Sequence, residues 1–148
     1  MNCHDYRRSI SAKISAADAF SRIQAVSRWW TKGVTGCAEN VNDLFTVRFG
    51  QTFVDFKVRE IVPPSKIVWQ VIDSELPWLK NKDEWTGTEV VWELMPDGDS
   101  TQITMTHVGL NPAVECYEKC EAGWDFFVGE SLSRLMSENL GMPDRERS

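Results

Sequence analysis

The sequence predicts an α+β fold in which one curved antiparallel sheet is held against a long C-terminal helix. Two patterns carry that expectation. Between residues 43 and 108, large apolar side chains recur at every second position in short stretches separated by turn residues, as in half-buried strands. Between residues 117 and 140, the recurrence changes to steps of three and four, as in an amphipathic helix. No helical pattern separates the successive strand stretches, so they join by hairpins into a meander with one apolar and one wet face.

The chain opens with an alternating stretch over residues 6–14. Ile10, Ala12 and Ile14 share one face, and Arg7, Ser9, Ser11 and Lys13 the other. Ser15-Ala-Ala-Asp18 has the form of a capping box and starts a short helix through Ile23. A second brief turn is expected over Val26 to Trp30, ending before Gly33. The meander follows. Residues 43–49 place Phe45, Val47 and Phe49 together, and residues 52–62 place Val54, Phe56 and Val58 together before Pro63-Pro64 forces a turn. Residues 66–72 align Ile67, Trp69 and Val71, and residues 88–95 align Val90, Trp92 and Leu94. Pro96-Asp-Gly98 signals a hairpin into residues 101–108, where Ile103, Met105 and His107 share a face opposite Thr104 and Thr106.

A longer loop over residues 73–87 interrupts the meander and carries Leu76, Trp78, Leu79 and Trp85. The final helix presents Tyr117, Cys120, Trp124, Phe127, Val128, Leu132, Leu135 and Met136 on one face. Gly141 is the expected C-cap and Pro143 the stop, with residues 141–148 a loose tail.

A chain of 148 residues fits one domain, here with a core from about residue 6 to residue 140. The net charge is −6 and the longest basic run is Arg7-Arg8, which argues against nucleic acid or an anionic membrane surface as partner. The opening MNCHDYRR carries charge where a secretory signal would turn apolar, so a cytoplasmic protein is expected. Cys3, Cys37, Cys116 and Cys120 then read as four free thiols. Cys116 and Cys120 stand four apart, but a structural zinc site needs four ligands and only two histidines exist, so no metal and no cofactor is expected.

Three segments look familiar in this order: REIVPPSKIVWQV at 59–71, PDGDSTQITMTHVGL at 96–110 and GWDFFVGESLSRLM at 123–136. Together they resemble the AHSA-like family, homologues of the heat-shock chaperone ATPase activator, within the START-like (SRPBCC) superfamily of the helix-grip, Bet v-type fold. The resemblance spans about residues 6–140. It implies a deep apolar cavity between sheet and last helix, used by different members for different ligands, and it implies no single reaction.

The candidate site follows from the inward sets. Phe56, Trp69, Trp92, Met105, His107, Trp124 and Phe127 are expected to line one enclosed space, with Trp78 and Trp85 of the loop as a lid. The sequence leaves a second reading open, in which these rings simply fill the core. His107 reads as a histidine bonded to backbone or loop groups at the cavity mouth, or as a polar anchor for a ligand. As a general base it lacks a nucleophile motif and a second histidine nearby, so no catalytic residue is assigned. Asp55, Glu60, Glu89 and Glu93 are expected on the outer face of the sheet, and Asp125, Glu130 and Glu138 on the wet side of the helix. The expected function is binding of a small hydrophobic or aromatic molecule without catalysis. The alternatives are a protein-interaction module that regulates a chaperone, with a protein partner or a homodimer, and a cyclase- or hydrolase-like enzyme using His107.

Overall fold

The computed structural model describes residues 5–144. Seven strands form one sheet: β1 (Tyr6–Ala12), β2 (Val34–Gly36), β3 (Leu44–Phe49), β4 (Thr52–Val62), β5 (Lys66–Glu75), β6 (Glu89–Asp97) and β7 (Ser100–Val108). Their order is β1-β7-β6-β5-β4-β3-β2, and every neighbouring pair is antiparallel. Helix α1 (Ala16–Gln24) and a 3-10 turn (Val26–Arg28) lie between β1 and β2. The C-terminal helix runs as α2 (Tyr117–Phe126), a π-helical stretch (Phe127–Leu132) and α3 (Ser133–Glu138). This is the expected α+β architecture.

The register follows the alternation. Trp92 pairs with Met105, Val90 with His107 and Ile67 with Trp92, so the inward sets of β5, β6 and β7 face the helix together. Register shifts between Asp55 and Phe56 and between Val58 and Glu60 bend β4 against β5, which curves the sheet. The β6–β7 hairpin turns at Gly98, whose φ of 65° suits glycine. Ser15 Oγ accepts from the Asp18 amide at 3.1 Å and starts α1.

The space between sheet and helix is filled by rings. Trp29, Phe56, Trp69, Trp92 and Met105 are fully buried. Trp69 meets Trp92 edge-on at 5.5 Å, Trp29 meets Trp92 edge-on at 5.5 Å, and Phe56 meets Trp69 at 5.6 Å. Edge-to-face contacts of this kind add about 0.5–1.5 kcal/mol each beyond area burial. The indole N–H groups of Trp69 and Trp92 have no hydrogen-bond partner among the described residues. Both indoles are packed among rings, Trp69 edge-on to Phe45 and Trp92 edge-on to Trp29.

The C-terminal helix buries Cys116, Cys120, Trp124, Val128, Leu132 and Met136, one side chain at every fourth position. At 3.6 residues per turn, each such step drifts about 40° around the helix. The wider π-helical turn from Phe127 to Leu132 takes up that drift and keeps the stripe on the sheet. Inside it, the buried Ser131 hydroxyl donates to Trp29 O at 2.6 Å and accepts from the Met142 amide at 2.7 Å. The Arg22 guanidinium donates to Leu135 O and Met136 O at 2.7 and 3.0 Å, a cation at the negative end of the helix.

Several expectations are corrected. Strand β1 ends at Ala12 rather than 14, because the Ile14 amide turns back to Ala12 O. Strand β2 was not foreseen, being three residues long with no alternation to read. Strand β5 continues to Glu75, so the loop spans residues 76–88. The helix is capped by Asn139 in the left-handed region (φ 59°), not by Gly141. Gly141 instead allows a close approach, since a Cβ there would stand 2.1 Å from Arg28 O. Residues 141–144 are not loose: the Asp144 carboxylate accepts from the Thr31 hydroxyl and the Lys32 amide, and its own amide donates to Trp30 O at 2.9 Å. Residues 145–148 of the expected tail lie outside the described residues, as does Cys3. Asp125 is not simply solvated. It accepts from the Tyr6 hydroxyl at 2.5 Å and stands 3.4 Å from the Arg8 guanidinium, because edge strand β1 passes beside the helix.

Candidate functional site

An apolar cleft of about 220 Å³ opens where β3 and β4 meet α2 and the loop of residues 76–88. The sheet contributes Val47 and Phe49 from β3, and Thr52 and Val54 from β4. The helix contributes Cys120, Gly123, Trp124 and Phe127, which fall on one face at steps of three and four. The loop contributes Leu76, Trp78 and Trp85, and Trp30 completes the lining. No charged side chain lines it.

The aromatic walls are fixed from behind by His107. The Trp124 indole donates to His107 Nδ1 at 3.0 Å, and His107 Nε2 lies 2.9 Å from the Thr88 hydroxyl. Thr88 spends its own proton on Trp85 O at 2.7 Å, so His107 carries its proton on Nε2 and donates to Thr88. The His107 ring also stands edge-on to Trp85 at 4.6 Å, and Trp85 and Trp124 are parallel to within 11° at 6.0 Å. Complete burial pushes the His107 pKa down to about 3, because no opposite charge repays desolvation of an imidazolium. A second proton on Nδ1 would also face the Trp124 N–H donor.

The loop is clipped to the start of α2 in both directions. The Glu84 carboxylate accepts from the amides of Glu115 and Cys116 at 2.8 and 2.9 Å, which satisfies helix-start donors. The Glu115 carboxylate accepts from the amides of Lys80 and Asn81, and those backbone bonds hold its pKa below the usual carboxylate range. The Trp85 indole donates to Cys116 Sγ at 3.3 Å. The Cys120 thiol is pushed far up by its hydrogen bond with Cys116 and by burial, so it is a protonated, weakly reactive wall group. At the rim, Trp78 is 45% exposed, with the Lys119 ammonium 5.2 Å from its ring centre.

Of the residues expected to line one enclosed space, the structure brings Trp124 and Phe127 to this cleft, together with Trp78 and Trp85 of the loop. Phe56, Trp69, Trp92 and Met105 are packed solid in the core, and His107 stands behind the wall with both nitrogens engaged. The cleft sits beside, not within, the ring cluster. The expected site residues left out Trp30, Val47, Phe49, Thr52, Val54, Leu76, Cys120 and Gly123, which also line the cleft. Cys120 and Gly123 are reached from Trp124 and Phe127 by helical spacing alone, whereas nothing in the sequence turns Trp30 toward β3. Among the described residues, no group of three or more His, Cys, Asp or Glu stands together as a metal site, and no helix is long and apolar enough to cross a membrane.

A curved antiparallel sheet closed by a C-terminal helix, with an apolar cleft beside that helix, defines a helix-grip domain. Residues 18–137 match the family described as Activator of Hsp90 ATPase homolog 1-like protein, and the chain belongs to this family. The superfamily expected from the three sequence segments is therefore the one found. The Aha1 dimer from Colwellia psychrerythraea, solved in solution, superposes with a TM-score of 0.73 at 22% identity, over 93% of this chain and 97% of that one. DynU16, a putative protein in the dynemicin biosynthetic locus, superposes with a TM-score of 0.66 at 18% identity, over 91% of this chain and 48% of its own length. PFC0360w, an HSP90 activator from Plasmodium falciparum, superposes with a TM-score of 0.61 at 19% identity, over 85% of this chain and 91% of that one. At these identities the likeness is one of fold. No curated protein matches the chain.

Proposed function

We propose that the protein binds a small apolar molecule in the cleft between β3, β4, α2 and the loop of residues 76–88. The observation that carries the reading is Gly123. A glycine inside a helix costs about 1 kcal/mol relative to alanine. A Cβ at Gly123 would meet no atom within 4 Å, so packing does not demand glycine there. What its missing side chain leaves is open space on the cleft wall. Leucine at this position would fill the cleft while improving helix propensity.

The test compares wild type with Gly123→Leu in a thermal-shift screen of neutral apolar probes. Probes that raise the melting temperature of wild type and leave Gly123→Leu unmoved support the reading. Equal response in both proteins, or none in either, rejects it.

A second reading, a protein-interaction module, draws support from the neighbours described as a dimer and as an HSP90 activator. Analytical ultracentrifugation over a concentration series addresses the homodimer directly. The hydrolase- or cyclase-like reading has nothing in its favour at His107, whose nitrogens are occupied by Trp124 and Thr88.

A further inference from the structure

Resting on that reading of the cleft, we infer that its ligand is an uncharged, planar molecule of about two fused aromatic rings, and that the cleft rejects the same ring system carrying a carboxylate. Three features lead there.

The first is shape. Trp85 and Trp124 both border the cleft with planes parallel to within 11°. Trp30 tilts against Trp124 at 4.8 Å, and Phe127 against Phe49 at 5.6 Å. Walls made of rings reward a ligand that is itself a flat π system, through offset stacking and edge contacts. A flexible alkyl chain gains burial but no such geometry, and it loses rotamer freedom on binding.

The second is size. An apolar cavity of about 150 Å³ accommodates benzene. A cleft of about 220 Å³ has room for one ring more.

The third is charge. No cationic side chain lines the cleft, and the Lys119 ammonium at its rim stands over the Trp78 ring. The indole N–H groups of Trp85 and Trp124 point away, to Cys116 and His107. The other polar groups of the lining are the Thr52 hydroxyl, the indole N–H groups of Trp30 and Trp78, and the Cys120 thiol, which stays protonated, so none of them carries a charge. A carboxylate placed here would lose its hydration without gaining an opposite charge.

The experiment is isothermal titration at pH 7 of the full chain with 2-naphthol, 2-naphthoate and decanoate, repeated on Gly123→Leu. The expected result is saturable binding of 2-naphthol, with 2-naphthoate and decanoate at least about 100-fold weaker. In Gly123→Leu the 2-naphthol heat should disappear while circular dichroism and melting stay at or above wild type. Naphthoate or decanoate binding as tightly as naphthol overturns the inference and leaves the binding reading standing. Naphthol binding unchanged in Gly123→Leu places the ligand elsewhere and overturns both. No binding by any of the three also overturns both. Should Gly123→Leu fold poorly, the ratio between naphthol and naphthoate on wild type still decides the inference.

Discussion

The indole N–H of Trp124 donates to Nδ1 of His107 at 3.0 Å, and this bond turns a histidine from a reactive group into a bracket for the cleft wall. The second nitrogen is engaged by Thr88, which in turn holds Trp85 O, so one neutral imidazole positions both parallel tryptophans.

Replacing His107 by leucine should therefore destabilise the fold by about 1–3 kcal/mol at pH 7, since the buried Trp124 N–H loses its acceptor. The gap should narrow in acid. The folded His107 pKa is held down to about 3 against 6.5 when exposed, so below 6.5 the unfolded wild type takes up a proton that the folded form refuses. Stability is lost as pH falls through that window, by up to about 1.4 kcal/mol per pH unit from this residue. Urea denaturation of both proteins at pH 7 and pH 5 measures the two gaps, and a constant difference would mean that His107 is charged or solvated in the folded protein.

The reciprocal clip between Glu84 and Glu115 should set how firmly the loop covers the cleft. Glu84→Ala removes acceptors for two helix-start amides and should cost about 1 kcal/mol. Hydrogen exchange of the Cys116 amide and of the Trp85 indole should quicken in the same variant. The Glu115 contribution runs the opposite way to a raised pKa. Its carboxyl is held down when folded, so the clip is complete above the ordinary carboxylate pKa of 4.5 and is lost as pH falls through the lower folded value. Unchanged exchange in Glu84→Ala would show that the loop is held by its tryptophans alone.

Thiol reactivity should separate the cysteines. Cys37 is exposed, whereas Cys116 and Cys120 are buried, and Cys120 holds its proton tightly. In the native protein, alkylation followed by mass spectrometry should label Cys37 rapidly and Cys116 and Cys120 slowly, and denaturation should release four free groups in all. Fast labelling of Cys120 would mean that the cleft opens widely in solution.

Much of this fold was legible because strand alternation assigns faces without ambiguity. Trp69, Trp92 and Met105 were placed inward by period alone, and they are inward. The stripe of three- and four-residue steps from Tyr117 to Met136 likewise announced one continuous helix, although those steps did not mark its π-helical turn from Phe127 to Leu132. Depth was not legible. Whether inward rings enclose a space or fill it depends on the curvature produced at Asp55/Phe56 and Val58/Glu60, and on Trp29, which enters from a region without periodicity and packs against Trp92. Gly123 was hidden for another reason. In a helical pattern glycine reads as a weakness, and only the surrounding geometry reveals the space beside it.

A ligand space beside the ring core, and not inside it, would be reported by the seven tryptophans. In a ¹H–¹⁵N correlation spectrum of the protein titrated with 2-naphthol, the indole signals of Trp30, Trp78, Trp85 and Trp124 should shift with one common saturation curve, because these four border the cleft. The signals of Trp29, Trp69 and Trp92, fully buried in the core, should stay in place. Saturable shifts concentrated on Trp69 and Trp92 would put the ligand inside the core, and no saturable shift at any indole would leave the cleft without a ligand of this kind.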